Sequence, residues 1–66
     1  MQSIKKYDFY YNELLFSIEL TKDEQGEGFG YRIYKEDGEL IREKTGFSSE
    51  KETERKAENL ITLNQE

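Results

Sequence analysis

Leu14-Leu15-Phe16-Ser17-Ile18-Glu19-Leu20 decides the fold. Leu14, Phe16, Ile18 and Leu20 alternate with Leu15, Ser17 and Glu19, and a period of two marks a strand with one buried and one wet face. Upstream, Tyr7, Phe9 and Tyr11 alternate with Asp8 and Tyr10. If Asn12-Glu13 is a tight turn, Tyr11 faces Leu14, Phe9 faces Phe16 and Tyr7 faces Ile18. Each of those pairs is apolar or aromatic, which is the condition that fixes register. Asn accepts a positive φ, whereas Glu is a poorer second residue for such a turn.

Downstream, Lys22-Asp23-Glu24-Gln25-Gly26-Glu27-Gly28 is charged, contains two glycines and has no periodicity, so it reads as a loop. A third strand is predicted over residues 29–35 and a fourth over 39–45. Glu36-Asp37-Gly38 joins them as a hairpin loop with Gly38 in the left-handed region. That loop length places Ile33 opposite Ile41 and Tyr31 opposite Glu43 on the side meeting the core. Tyr34 then falls opposite Leu40, and Arg32 opposite Arg42, on the other side.

A helix is predicted after Gly46-Phe47. Ser48 and Ser49 are both good N-caps, and Ser49-x-x-Glu52 reads as a capping box. Glu50, Glu52 and Glu54 put negative charge near the positive end of the helix dipole. Thr53, Ala57, Leu60, Ile61 and Asn64 share one face, with Leu63 close by. Of the five, Ala57, Leu60 and Ile61 are apolar, so the helix should lie on the sheet and not inside a core. The expected architecture is α+β: a single domain over residues 1–66, a four-stranded antiparallel β-meander followed by one C-terminal α-helix packed on one face, ββββα. No Pro interrupts any element, and there is no internal repeat or low-complexity segment.

Composition narrows the function. A chain of 66 residues buries only about 60% of the surface exposed by its unfolded form. Without Cys or His it has no disulfide, no thiolate chemistry and hardly any zinc arrangement. Its stability therefore comes from packing, within the chain or against a second copy. The start, MQSIKKYDFYYNE, lacks the apolar core of a secretory signal, and the apolar runs are too short for a membrane span. These features predict a soluble, cytoplasmic protein with no membrane contact. The net charge of −5, from 15 acidic and 10 basic residues, disfavours nonspecific nucleic-acid binding. Five Tyr and four Phe argue against disorder despite the 38% of charged residues.

Catalysis is not expected. General acid–base work at neutral pH uses His or a buried carboxylate, and the acids here fall on turns and the helix surface. Ser48 and Ser49 are helix caps with no base beside them. Gly26-Glu27-Gly28-Phe29-Gly30 leads into a strand, whereas phosphate-cradling loops lead into a helix. Asp23, Glu24 and Glu27 lack the alternating oxygen ligands of a calcium loop. No cofactor or metal is implied.

Binding residues are better represented. On the faces assigned above, Arg32, Arg42 and Lys44 share one side of the third and fourth strands with Tyr34 and Leu40. Such a set suits phosphate or an acidic protein surface, and its plainer role is to solubilise the uncovered face. Tyr10 and Leu15 fall on that same open side. Together with Tyr34 and Leu40 they form an exposed aromatic–apolar set of the kind found at contacts with another chain.

Gly30-Tyr31-Arg32-Ile33-Tyr34-Lys35-Glu36-Asp37-Gly38, then Gly46-Phe47-Ser48-Ser49 leading into a Glu/Lys-rich helix, resembles the arm-type DNA-binding domain of phage integrases over residues 30–57. The same stretch resembles short uncharacterised bacterial sheet-plus-helix modules. The integrase likeness implies a three-stranded sheet with a helix that reads the major groove through the sheet. Integrase arms are strongly basic, and this chain is acidic. In size and charge it also resembles small phage-encoded inhibitors, some of which imitate DNA with surface carboxylates. Three expectations follow. The first is a non-catalytic module that binds an unidentified protein partner or forms a homodimer. The second is a sheet-based DNA binder using Arg32, Tyr34, Arg42 and Lys44. The third is an acidic DNA mimic.

Overall fold

The computed structural model describes residues 2–23 and 28–63. Strands β1 (Gln2–Tyr11), β2 (Leu14–Lys22), β3 (Phe29–Lys35) and β4 (Leu40–Phe47) precede one helix, α1 (Glu50–Leu63). The four strands form one antiparallel sheet in the order β1-β2-β3-β4, and α1 packs on one face of it. This is the ββββα meander expected from the alternation.

The first hairpin follows the anticipated register: Tyr11 lies opposite Leu14, Phe9 opposite Phe16 and Tyr7 opposite Ile18. Asn12 and Glu13 both have positive φ, 55° and 66°, the pattern of a two-residue turn whose twist matches the flanking strands. Holding a non-Gly residue left-handed costs about 1–2 kcal/mol. Glu13→Gly is accordingly expected to stabilise the protein by about 0.5–1 kcal/mol, part of the relief being offset by the freer unfolded chain. An upward shift of the urea midpoint at unchanged slope is the measurement.

The core is a single cluster of Phe16, Ile18, Leu20, Tyr31, Ile33, Ala57 and Ile61. Tyr7, Phe9, Tyr11, Phe47 and Leu60 are partly buried against it. The helix contributes Thr53, Ala57 and Ile61 at successive turns. Thr53 is fully buried, and its hydroxyl is satisfied by donating to the Ser49 carbonyl at 2.7 Å. The 14 residues of α1 cover about 21 Å at the helical rise. The nine residues of β2 cover about 30 Å at the strand rise. The helix is therefore shorter than the sheet, and the tip of the first hairpin, with Leu14, stays exposed. Asn64, placed by its spacing on the buried stripe, lies outside the described residues, as do Glu24, Gln25, Gly26 and Glu27 of the charged loop.

The helix start differs in detail from a capping box. Ser49 Oγ accepts from the Glu52 N–H at 3.1 Å, as a cap should. The returning carboxylate of Glu52, however, binds the Ser48 hydroxyl at 2.7 Å, one residue earlier than the motif requires. That bond, first among several causes, holds the Glu52 carboxyl below its usual range.

The second hairpin corrects the sequence reading. The loop is as expected: Gly38 has φ 94°, its N–H donates to the Lys35 carbonyl, and the Asp37 side chain accepts from the Glu39 N–H. Tyr34 does lie opposite Leu40. The next pair is Ile33 with Arg42, because Ile41 is an extra residue in the strand. Beyond this bulge the register is Arg32 with Glu43 and Tyr31 with Lys44, so the expected pairs Ile33–Ile41, Arg32–Arg42 and Tyr31–Glu43 do not form. A β-bulge shifts every later side chain to the opposite face. Ile41, anticipated in the core, is 40% exposed. The fourth strand also runs to Phe47, past the predicted end, through a second irregularity around Gly46 (φ 98°).

Candidate binding surfaces

The bulge at Ile41 divides the predicted basic set between two surfaces. Arg32, Tyr34 and Leu40 remain on the open face, away from the helix. Arg42 and Lys44 lie opposite Ile33 and Tyr31 and so belong to the helix side. Tyr10 and Leu15 are paired on the open face, Tyr10 being 70% exposed and Leu15 half-buried. Leu40 is 44% exposed and Tyr34 half-buried. Tyr10, Leu15, Tyr34 and Leu40 thus share the open face, with Leu15 and Tyr34 half-buried, and Arg42 and Lys44 do not join them there.

In its place the open face carries a neutralised network. Arg32 Nε donates to Glu43 at 2.7 Å, and its guanidinium stands 3.9 Å from the Glu19 carboxylate. Tyr34 donates its hydroxyl to that same Glu19 at 3.0 Å, while the Lys6 ammonium sits 5.1 Å from the Tyr34 ring centroid. Ser17 donates to Asp8 at 3.3 Å. The hydrogen bond from Ser3, followed by that from Tyr34 and the nearby charge of Arg32, lowers the Glu19 carboxyl below its ordinary value against the opposing effect of burial. Burial, then its bond to Glu19, raises the Tyr34 phenol. A guanidinium already held between two carboxylates has little left to offer a phosphate.

On the helix side, β1 is pinned down. Lys5 pairs with Glu54 at 3.3 Å, and Tyr7 donates to Glu58 at 2.7 Å. Burial first, and Glu58 second, raises the Tyr7 phenol above its usual range, so the donor keeps its proton. Glu54 and Glu58 are one turn apart, which sets this flank of α1 along β1.

The opposite flank of α1 faces β4. Every residue of β4 except Phe47 is exposed. Between β4 and α1 lies an open cleft of about 410 Å3, with Tyr31, Lys44 and Phe47 on its sheet wall and Lys56, Asn59, Leu60 and Leu63 on its helix wall. Tyr31 and Phe47 stack across neighbouring strands with ring centroids 5.6 Å apart. Burial raises the Tyr31 phenol, and the charge of Arg42 opposes that shift. Lys44 Nζ stands 6.0 Å from the Phe47 ring centroid. Among the described residues, Arg42, Lys44 and Lys56 have no ion-pair partner, in contrast to Lys5, Arg32 and Lys35. Phe47, Lys56, Leu60 and Leu63 were not singled out as binding residues in the sequence. The i, i+4 and i+7 spacing of Lys56, Leu60 and Leu63 was the available signal, but it acquires meaning only once the bulge turns Lys44 toward it.

Among the described residues, no helix is long and apolar enough to cross a membrane. Compared with known proteins, the chain matches no family model, no curated sequence and no solved structure.

Proposed function

We propose that this chain is a non-catalytic binding module that engages another protein along β4. The observation that carries the reading is the exposed edge of β4 beside an open cleft: seven of its eight residues stay exposed, and Lys44 and Phe47 face Lys56, Leu60 and Leu63 across that cleft. A sheet edge carries unpaired N–H and C=O groups along its length. Beside this edge lie a stacked aromatic pair, Leu60 partly buried and Leu63 71% exposed. Exposed apolar surface rimmed by charge is characteristic of contact sites.

Two observations weigh against the other readings. The DNA-binding reading needs Arg32, Arg42 and Lys44 on one face, and the register separates them. Self-pairing through β4 meets repulsion. With the helix sides aligned, an antiparallel register centred on Glu43 sets Arg42 against Lys44, and registers centred on Arg42 or Lys44 set each against its own copy. Like charges directly opposite are destabilising.

The test is affinity capture from native cells with the wild-type chain, Lys44→Glu and Tyr10→Ala, alongside sedimentation of the purified protein. A partner retained by wild type and Tyr10→Ala but lost by Lys44→Glu is the expected result. Loss with Tyr10→Ala alone moves the site to the open face, and a strict monomer that captures nothing removes the proposal.

A further inference from the structure

Resting on that protein-binding reading, we infer that β4 receives an extended acidic segment of its partner as a fifth strand, whose alternate carboxylates meet Arg42, Lys44 and Lys56. Three features lead there. The first is the edge itself. The sheet order leaves β4 bonded to β3 alone, and an extended peptide adds to such an edge through main-chain hydrogen bonds. The irregularities at Ile41 and Gly46 bracket the regular part of the strand, so the added segment pairs over Arg42–Thr45.

The second feature is the side-chain period. In a strand laid beside β4, every second residue faces the helix side. There it meets Arg42 and Lys44, which are themselves two residues apart, and the wall of α1 that bears Lys56. Acidic side chains at i and i+2 match that spacing. Glu52 lies one turn before Lys56 and feels its charge, but its carboxylate is hydrogen-bonded to the Ser48 hydroxyl and makes no salt bridge to Lys56. On the opposite face the same segment passes Glu43 and Thr45, where the carboxylate of Glu43 already holds Arg32. Small uncharged residues are therefore required at the intervening positions.

The third feature is charge. Lysine on an edge strand ordinarily guards against unwanted pairing. It repels basic strands and attracts acidic ones. Lys44 and Lys56 at the cleft and Arg42 two residues along the same side of β4, none in a salt bridge among the described residues, form a local reversal in a chain of net charge −5, which repels acidic partners elsewhere and orients them here. Duplex nucleic acid is a poor fit, because tight binders neutralise about 6–10 phosphates and this edge presents three cations.

The experiment is fluorescence anisotropy with the full chain and a labelled, end-blocked peptide of alternating Glu and Val. Its partners are the same peptide N-methylated at alternate amides, its Lys-for-Glu counterpart, and a single-stranded oligonucleotide. The expected result is saturable binding of the Glu peptide alone, weakened about tenfold or more by Arg42→Glu or Lys44→Glu and by N-methylation. Both positions are exposed, and circular dichroism checks that the variants fold. Lys6→Glu should leave affinity within about twofold, since Lys6 lies over the Tyr34 ring on the face of the sheet away from the cleft and its charge is screened. Equal binding of the oligonucleotide and of the N-methylated peptide reduces the site to general anion attraction and overturns the inference. If the Glu peptide does not bind while native-cell capture still depends on Lys44, the acidic-strand inference fails and the protein-binding reading stands. Loss of that capture in turn removes the reading beneath it.

Discussion

Ile18→Ala is expected to cost about 2–5 kcal/mol of stability, the range for truncating a large buried aliphatic side chain. Ile18 is completely buried. It occupies an inner strand, between Tyr7 on one side and Ile33 on the other. A domain of this length holds about 3–10 kcal/mol at about 0.05–0.15 kcal/mol per residue, so a loss near the upper end, from a stability near the lower, leaves the variant largely unfolded at 25 °C. No disulfide offsets the loss, since the chain has no Cys. Ile18→Val removes one methyl group and should cost about 0.5–1.5 kcal/mol. Urea denaturation followed by circular dichroism reads both. A loss below about 1 kcal/mol for the alanine variant would place the centre of the core elsewhere.

Gly30→Ala is the second large effect, and it acts on β4 through its neighbour. A Cβ at residue 30 would stand 2.7 Å from the Lys44 carbonyl oxygen, 2.7 Å from Thr45 Cγ2 and 3.1 Å from Thr21 Oγ1. Thr45 can rotate away, but the Lys44 oxygen is backbone and moves only if β4 moves. Overpacking of this kind costs about 1–3 kcal/mol. The strain falls where β3 meets β4, so the expected signature is local: faster amide exchange across residues 42–47, with β1 and β2 protected as before. The same variant should lose partner binding in step with β4 exchange, because Lys44 and Thr45 belong to the proposed docking strand. Uniform loss of protection would show instead that β4 and the core open as one unit.

Residues 14–20 and their upstream partners carry strong local information. The alternation of Phe16, Ile18 and Leu20 has one arrangement that buries all three, and the tight turn at Asn12-Glu13 supplies the matching register. Both follow from the chain because each element's greasy side is defined by its own spacing. The helix was legible for the same reason: a serine cap, early glutamates and a narrow stripe at Thr53, Ala57 and Ile61 all agree. The fourth strand was different. Leu40-Ile41-Arg42-Glu43-Lys44-Thr45 has adjacent apolar residues at one end and no alternation after them, so two registers were open to it. With nothing on β4 except Phe47 to bury, the spacing carried no penalty for choosing wrongly.

The placement of the candidate residues inherits that difference. Tyr10 and Leu15 lie on the open face because they sit on the well-specified hairpin. Arg42 and Lys44 changed sides because they follow a bulge, and their neighbour Arg32 turned out to be occupied by Glu43 and Glu19. Ion pairs between strands depend on register to within one residue, so a single extra residue converts a basic patch into a neutral network, turns Arg42 and Lys44 to the helix side and brings Lys44 to the cleft.

The amino-acid order by itself determined the number and kind of elements, the buried side of the first hairpin and the seat of the helix, since apolar periodicity and capping are local properties that burial merely confirms. Tertiary structure alone decided which face of β4 carries which charge and which residues meet across the cleft beside α1. Those outcomes depend on one bulged residue and on contacts between positions far apart in the chain, such as Tyr7 with Glu58, whose pairing exists only after folding has brought them together.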